Sequence, residues 1–262
     1  MTKLLELRDL SIKIMGKPVV NNVSFDVEAG EVFGLVGESG AGKSLTGKAI
    51  IRLLPPGAEA SGKIFFKGID LLSLDEKAMR KIRGKEITLI QQDPVTSLNP
   101  SFKIKDQITD IIGLHLRVTS KDAEKRAVEL LKKVGITSPE KVLHKYPHQI
   151  SGGMCQRVMI AIAFACEPSL VIADEPTTAL DVITQALVID LMKHIQQQHN
   201  TAIIFVTHNL ALALNICDRI AVMNKGSIVE VLDADRVFED ARHEYTLSLL
   251  SAIPTIEKPF TR

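Results

Sequence analysis

The stretch LVGESGAGKSLTGKAIIRLL (35–54) decides the architecture. Leu35 and Val36 close an apolar run, GESGAGKS (37–44) follows, and helical spacing then continues to the stop at Pro55-Pro56. GESGAGKS satisfies G-x-x-x-x-G-K-[ST] at each required position, in the strand, loop, helix order such a loop needs. Glycines let the backbone wrap phosphates closely, Lys43 is placed to neutralise β- and γ-phosphates, and the Ser44 hydroxyl can ligate Mg²⁺. A glycine-rich turn carrying Lys-Ser by chance would account for the pattern but not for its context.

Outward from the loop, KLLELRDLSIKI (3–14) and VVNNVSFDVEAGEVFGLVG (19–37) alternate apolar and polar residues and read as strands of an antiparallel layer. SGKIFFKGIDLL (61–72) reads as a further strand and turn, and Glu86 to Ile90 as a short apolar strand. Residues from Lys103 to Gly135 are helical by pattern, with an N-cap at Thr119 or Ser120, Glu124 close behind, and Gly135 as the stop. SLVIADEP (169–176) and TAIIFVTH (201–208) are continuous apolar runs ending in polar residues, as expected of parallel strands buried on both faces. Thr184 to Gln198 between them is helical, which implies a right-handed crossover. The expected fold is α/β: a P-loop NTPase core with a mixed sheet, an antiparallel β layer and an inserted helical subdomain. Residues 1–262 then form one domain, with 1–94 and 167–235 as core, about 95–166 as the helical subdomain and 236–262 as a C-terminal tail.

A length of 262 residues accommodates this in one large α/β unit. The net charge of +1, without a long basic block, removes the electrostatic footprint that nucleic-acid binding requires. Cys155, Cys166 and Cys217 show no C-x-x-C spacing and read as reduced thiols of a cytoplasmic protein. MTKLLELRDL lacks the apolar core and cleavage site of a secretory signal and reads as the first strand. The longest apolar run, Val158 to Cys166, falls short of the roughly 20 residues that cross a bilayer. A membrane role therefore has to come through another subunit.

Asp174 and Glu175 end an apolar strand, at the edge where open α/β sheets place their ligands. A buried acidic pair needs compensation there, so Asp174 is assigned to Mg²⁺ through water and Glu175 to orienting and deprotonating an attacking water. The competing reading has the pair capping the following helix, with Pro176 in its first turn. His208 ends the next strand and reaches the same edge, where a γ-phosphate contact competes with the ordinary reading of a surface histidine. HKYPH (144–148) and HIQQQH (194–199) fail as metal sites, because Pro147 interrupts one and the spacing of the other puts its histidines on different helix faces. ISGGMCQR (150–157) opens an amphipathic helix with Ser-Gly-Gly, a second anion cradle in a chain that already has one.

With the phosphate loop, ISGGMCQR, DEP, ALD and the strand-end His208 in order, the chain resembles the nucleotide-binding subunits of ABC transporters over nearly its whole length. QDPVTSLNP (92–100), YPHQISGGM (146–154), ADEPTTALDV (173–182) and HEYTLSLLSAIP (243–254) resemble more particularly the peptide and nickel importer branch of bacterial ABC systems. The resemblance implies ATP held by Gly37, Glu38, Ser39, Gly40, Ala41, Gly42, Lys43, Ser44 and Leu45, and Mg²⁺ held by Ser44, Gln92 and Asp174. It implies Glu175, His208 and Gln92 as the catalytic group, with Gln92 sensing Mg²⁺ and water and relaying to the membrane subunit, and Asp181 crossing to the partner ATPase. It also accounts for the two cradles. Two ATPase subunits face each other head to tail, so that Ser151, Gly152 and Gly153, with Gln156 in the same helix, serve a nucleotide held by the partner's phosphate loop.

The partners so implied are a second ATPase subunit, copy or paralogue, two integral permease subunits and, indirectly, a solute-binding protein, with no nucleic acid. The place implied is the cytoplasmic face of the inner membrane, as a peripheral subunit. The solute stays open among nickel, a metal chelate and short peptides, and the short tail and MIAIAFACEP lean toward nickel or metallophores. Three positions depart from the family. Met15 stands where an aromatic ring commonly stacks on adenine, Cys155 stands where a basic residue is frequent and reads as a helix-surface variation, and the absence of cysteine after Cys217 argues against an iron–sulfur cluster. A soluble ABC-class ATPase of cluster assembly or nucleic-acid maintenance is the alternative, and the chain lacks the long coiled-coil insertion or second cassette of the repair and ribosomal types. A generic P-loop kinase leaves the signature unexplained.

Overall fold

The computed structural model describes residues 3–177 and 181–253. Ala179 and Leu180 of the ALD triplet, and the tail beyond Ile253, lie outside the described residues. The chain runs β1 (Lys3–Ile14), β2 (Lys17–Glu28), β3 (Val32–Val36), α1 (Lys43–Ile50), β4 (Ala58–Phe66), β5 (Ile69–Asp70), α2 (Glu76–Ile82) and β6 (Ile87–Ile90). Five helices follow without a strand: α3 (Pro94–Ser97), α4 (Ile104–Leu116), α5 (Ser120–Lys133), α6 (Pro139–Leu143) and α7 (Gly152–Ala163). The remainder is β7 (Leu170–Asp174), α8 (Val182–His199), β8 (Ala202–Thr207), α9 (Leu210–Ile216), β9 (Arg219–Asn224), β10 (Ser227–Asp233), α10 (Val237–Asp240) and α11 (Glu244–Ser251). No helix among the described residues is long and apolar enough to cross a membrane.

Two sheets form. The first is antiparallel, in the order β2-β1-β4-β5, and the second is mixed, in the order β10-β9-β3-β8-β7-β6. In the second sheet every pairing is parallel except β9 with β10. Residues 32–36 therefore leave the antiparallel layer to which the alternating run assigned them. The reason is burial: VFGLV is buried at all five positions, whereas β1 and β2 alternate, and a strand buried throughout needs a cover on both faces.

Those covers follow a period of two. Val32, Val36, Val171, Ala173, Ile203, Phe205, Ile220 and Val222 turn to the helical side and join the apolar cluster of α4, α5 and α7. Phe33, Leu35, Leu170, Ile172, Ala202, Ile204, Val206, Ala221 and Met223 turn to the other side and join α1 and the antiparallel layer. The rings of Phe25 on β2 and Phe33 on β3 stack at 4.9 Å with 10° between their planes, which joins the two sheets directly.

Helix limits depart from the sequence pattern where a residue adopts the left-handed region. The pattern runs α1 on to Leu54, but the helix stops at Ile50, with Arg52 at φ 54°. Arg52 N–H bonds Ala49 O and Leu53 N–H bonds Lys48 O, a closing turn that normally uses glycine. The Arg52 guanidinium compensates by donating to the carbonyls of Leu71 and Leu74. Likewise the helical run 103–135 is two helices, broken at Arg117 (φ 51°). Thr119 is the N-cap of α5, accepting from Asp122 N–H, and Glu124 instead pairs with Lys105 at 2.7 Å. Gly135, at φ 71°, ends that helix as its position suggests.

Phe33→Ala removes one of the two buried rings of the inter-sheet stack. The expected loss is about 3–5 kcal/mol of unfolding free energy, read as a fall in denaturant midpoint with an unchanged slope.

Candidate nucleotide-binding and hydrolytic site

β3 delivers the chain to the sheet's carboxyl edge, and the loop after it is shaped by what its glycines permit. A Cβ on Gly37 would lie 2.1 Å from Met223 O, so the loop passes against β9 with only a hydrogen at that position. Gly42, at φ 102°, is the N-cap of α1 and supplies no side-chain cap. The first-turn N–H groups of α1 are left for a ligand, at the positive end of the helix.

Lys43 is 4% exposed. Its Nζ donates to Gly37 O at 2.7 Å and Glu38 O at 2.8 Å, so two of its three hydrogens are committed to the loop's own carbonyls. Burial holds its ammonium below the usual lysine range, and the charges of Glu175, Asp174 and Glu38 work against that. Ser44 Oγ donates to Asp174 Oδ1 at 2.7 Å, joining the start of α1 to the end of β7. Asp174 is 7% exposed, and burial pushes its carboxyl above the usual aspartate range despite the Ser44 hydrogen bond and the charges of Lys48 and Lys43.

Glu175 follows with φ 48°, an uncommon conformation for a side chain of this kind. Its N–H donates to Val206 O on β8 at 3.0 Å, which fixes the turn. Its carboxylate meets two partners from other elements. Gln92 Nε2 donates to Oε2 at 3.3 Å, and His208 Nδ1 lies 3.2 Å from Oε1, a contact that requires the proton on Nδ1. Three residues separated widely in sequence thus meet on one carboxylate at the sheet edge. The helix-capping reading of Asp174 and Glu175 is displaced, because α8 begins at Val182 and Asp181 caps it, accepting from Thr184 N–H at 3.0 Å and Thr184 Oγ1 at 2.7 Å.

The second cradle is placed elsewhere. Ser151 is the N-cap of α7 and accepts from Met154 N–H, and a Cβ on Gly152 would meet nothing within 4 Å. On Gly153 it would meet Thr184 of α8 at 3.8 Å, not the phosphate loop. Gln156 differs from its neighbours: it is 1% exposed, and its Nε2 donates to Pro176 O at 2.6 Å. It ties α7 to the turn carrying Glu175 and is not displayed to a ligand. Cys155 corrects the helix-surface reading. It is 1% exposed, its thiol contacts Pro147 O at 3.6 Å, and burial pushes the thiol up. It shares α7's inward face with Val158 and Met159, at helical spacing. Cys166 and Cys217 are likewise buried and free.

Met15 sits at the β1–β2 turn, 78% exposed, with its thioether against Gly57. His194 contacts Gln198 and His199 lies 3.7 Å from Glu167, so neither faces the site. A contact the motifs did not announce is made by Tyr245, whose hydroxyl accepts from Glu38 N–H at 3.1 Å. HEYT carried only a family likeness, and no spacing rule points from position 245 to the loop.

A phosphate loop opening a helix, a buried Ser-Asp pair and a carboxylate poised between Gln and His define a P-loop nucleoside triphosphatase. The model of the ABC transporter family matches residues 20–178, and the chain belongs to that family as one of its ATPase subunits. It is 51% identical over 262 residues to the oligopeptide transport ATP-binding protein OppD of Bacillus subtilis, covering 98% of this chain and 73% of OppD. It is 48% identical over 236 residues to the dipeptide transport ATP-binding protein DppD of Escherichia coli, covering 90% of this chain and 72% of DppD. Among solved structures, the ATP-binding cassette MJ0796, a dimer in a post-hydrolysis state bound to ADP and Pi, superposes with a TM-score of 0.78 at 27% identity. That match covers 88% of this chain and 98% of the other.

The raised Asp174 carboxyl sets a sign for pH dependence. Below the unfolded pKa of about 3.9 both states are protonated, and stability is lost as pH rises through the higher folded value. Asp174→Asn is therefore expected to raise the melting temperature of the ligand-free protein at neutral pH, with the gain fading at acid pH, while ATP turnover collapses. Calorimetry across pH alongside phosphate release checks both.

Proposed function

We propose that this chain hydrolyses ATP in a head-to-tail ATPase dimer and couples that cycle to the uptake of short peptides through separate permease subunits. The observation that carries the reading is Glu175, held between Gln92 and His208 beside the Ser44–Asp174 pair. Lys43 would turn from Gly37 O and Glu38 O toward the β- and γ-phosphates. Glu175 would take the proton of the attacking water, which Gln92 helps to place, and His208 would hold the γ-phosphate.

The donor set suits Mg²⁺: a serine hydroxyl against a buried aspartate whose ionised form is only partly compensated, with the Gln92 amide oxygen as a further hard donor. Bound there, Mg²⁺ would neutralise phosphate oxygens in the transition state. Ser44, Asp174 and Gln92 would hold it.

Ser151, Gly152 and Gly153 are proposed to serve the partner subunit's nucleotide, which their open surroundings support, and Asp181 to reach across the same interface. ATP then favours the closed dimer because its γ-phosphate gains contacts only there. Residues 95–166 are proposed to move as a helical subdomain against a core of 1–94 and 167–235, with 236–262 as the tail. Between them lies a cleft of about 320 Å³ lined by Leu53, Arg83, Gln91, Leu98 and Ile111. Thr88 also lines it, with its Oγ1 buried and without a hydrogen-bond partner among the described residues. This cleft is proposed to receive the permease, at the cytoplasmic face of the membrane. Both relatives described above are named for peptides, which favours a peptide over nickel or a metal chelate as the solute.

Glu175→Gln is expected to keep ATP binding, lose roughly 10²–10⁴-fold in turnover, and accumulate as an ATP-dependent dimer in size-exclusion chromatography. Adding Ser151→Arg to it should abolish that dimer while each monomer still binds ATP. Loss of binding in the monomer would instead show that both cradles serve one nucleotide. Reconstitution tests the transport reading: turnover should rise when permease subunits and a peptide-loaded binding protein are supplied. No response to any such partner would contradict it.

A further inference from the structure

The phosphate loop is held by more than its own residues. Gly226 N–H, in the β9–β10 turn, donates to Ala41 O at 3.1 Å, and Glu38 N–H donates to the Tyr245 hydroxyl on α11 at 3.1 Å. The tyrosine contact falls on the peptide unit joining Gly37 to Glu38. The carbonyl of that same unit, Gly37 O, accepts from Lys43 Nζ at 2.7 Å. One planar group is thus gripped at both ends, by Lys43 and by Tyr245.

The two grips differ in what a triphosphate does to them. Lys43 is the residue that must give up its carbonyls to reach phosphate, and Gly37 has no Cβ to resist rotation of the 37–38 plane. A carbonyl dipole turned toward the cradle repels phosphate, so the plane needs a second restraint once Lys43 leaves. Tyr245 is mounted to provide it. Glu230 Oε1 on β10 accepts from Arg242 N–H at 2.7 Å and His243 N–H at 2.8 Å, directly ahead of α11. His243 Nδ1 accepts from Tyr245 N–H at 3.1 Å, and the Tyr245 ring packs on the apolar cluster beneath.

We propose that Tyr245 is a positioning residue for the phosphate loop: its hydroxyl holds the 37–38 peptide in the orientation that admits phosphate, so that α11 sets the affinity for nucleotide. The inference rests on the ATPase reading above and adds the C-terminal helix to its binding site.

Tyr245→Phe keeps the ring and its packing and deletes the hydroxyl alone, the acceptor of the Glu38 N–H. With the full chain, KM for ATP and the directly measured Kd are expected to rise roughly 3- to 10-fold, the scale of one lost hydrogen bond, with kcat within about twofold and the melting temperature unchanged. A merely structural tyrosine would lower the melting temperature and leave KM in place. The chain has two tyrosines and no tryptophan, so Tyr146→Phe makes Tyr245 the sole emitter. Its fluorescence should change with MgATP over the range in which ATP binds. An unaltered KM in Tyr245→Phe, or an emission indifferent to bound nucleotide, overturns the proposal. Failure of the unmodified chain to bind ATP would overturn the ATPase reading itself, and this inference with it.

Discussion

The hydrogen bond from Ser44 Oγ to Asp174 Oδ1 spans 130 residues of sequence and joins the two halves of the site. It exists because β3 and β7 both end at one edge of a sheet that is apolar on each face, so that whatever follows them is thrown together there. Desolvation governs the result. Asp174 and Lys43 are both nearly sealed from water and each is pushed toward its neutral form, with partial relief from the Ser44 hydrogen bond and the charges of Lys48 and Lys43 at the aspartate, and from the charges of Glu175, Asp174 and Glu38 at the lysine. In the proposed function, a bound phosphate would offset the buried ammonium and a bound cation the buried carboxylate. The strain at Glu175, φ 48° beside the same strand end, belongs to the same economy: the turn that tolerates it points the carboxylate at Gln92 and His208.

Much of this was legible in sequence where local pattern and tertiary environment agree. LVIAD and AIIFVT are apolar at nearly every position because both faces of their sheet are covered, and the polar residues that follow mark the edge where they emerge. GESGAGKS is legible because its glycines answer a local need for backbone passage, as Gly37 against Met223 O shows. Glu175 and His208 were placed at one edge by the strands they end and Gln92 was added by family likeness, and the structure brings the three side chains together.

What escaped the pattern was decided at long range. VFGLV and VSFDVE sit side by side in sequence on either side of the turn at Ala29-Gly30, yet one enters the central sheet and the other the outer layer, because VFGLV pairs with β8 and β9 from far along the chain and is covered on both faces. Arg52 and Arg117 end helices in conformations that favour glycine, and for Arg52 the compensation comes from carbonyls some twenty residues away. Cys155 is chemically dispensable to the site but geometrically inward, so its burial follows from what α7 packs upon, not from its neighbours in the signature. Tyr245 is the extreme case, a contact across 207 residues with no motif at either end that names the other.

Gln156 shows why such long-range ties carry function. In the proposed dimer, the start of α7 serves one nucleotide and Glu175 serves the other, so the two ends of the Gln156–Pro176 hydrogen bond belong to different active sites within a single chain. A buried amide donating at 2.6 Å cannot lose its acceptor without a desolvation cost of about 1–3 kcal/mol, so α7 and the Glu175 turn are constrained to move together. In that dimer, displacement of the start of α7 by a partner's γ-phosphate would be felt at Glu175, the proposed water-activating residue of this subunit. The two cradles are separate in space and tied through one buried hydrogen bond, the link by which the proposed dimer would pass nucleotide occupancy from one site to the other.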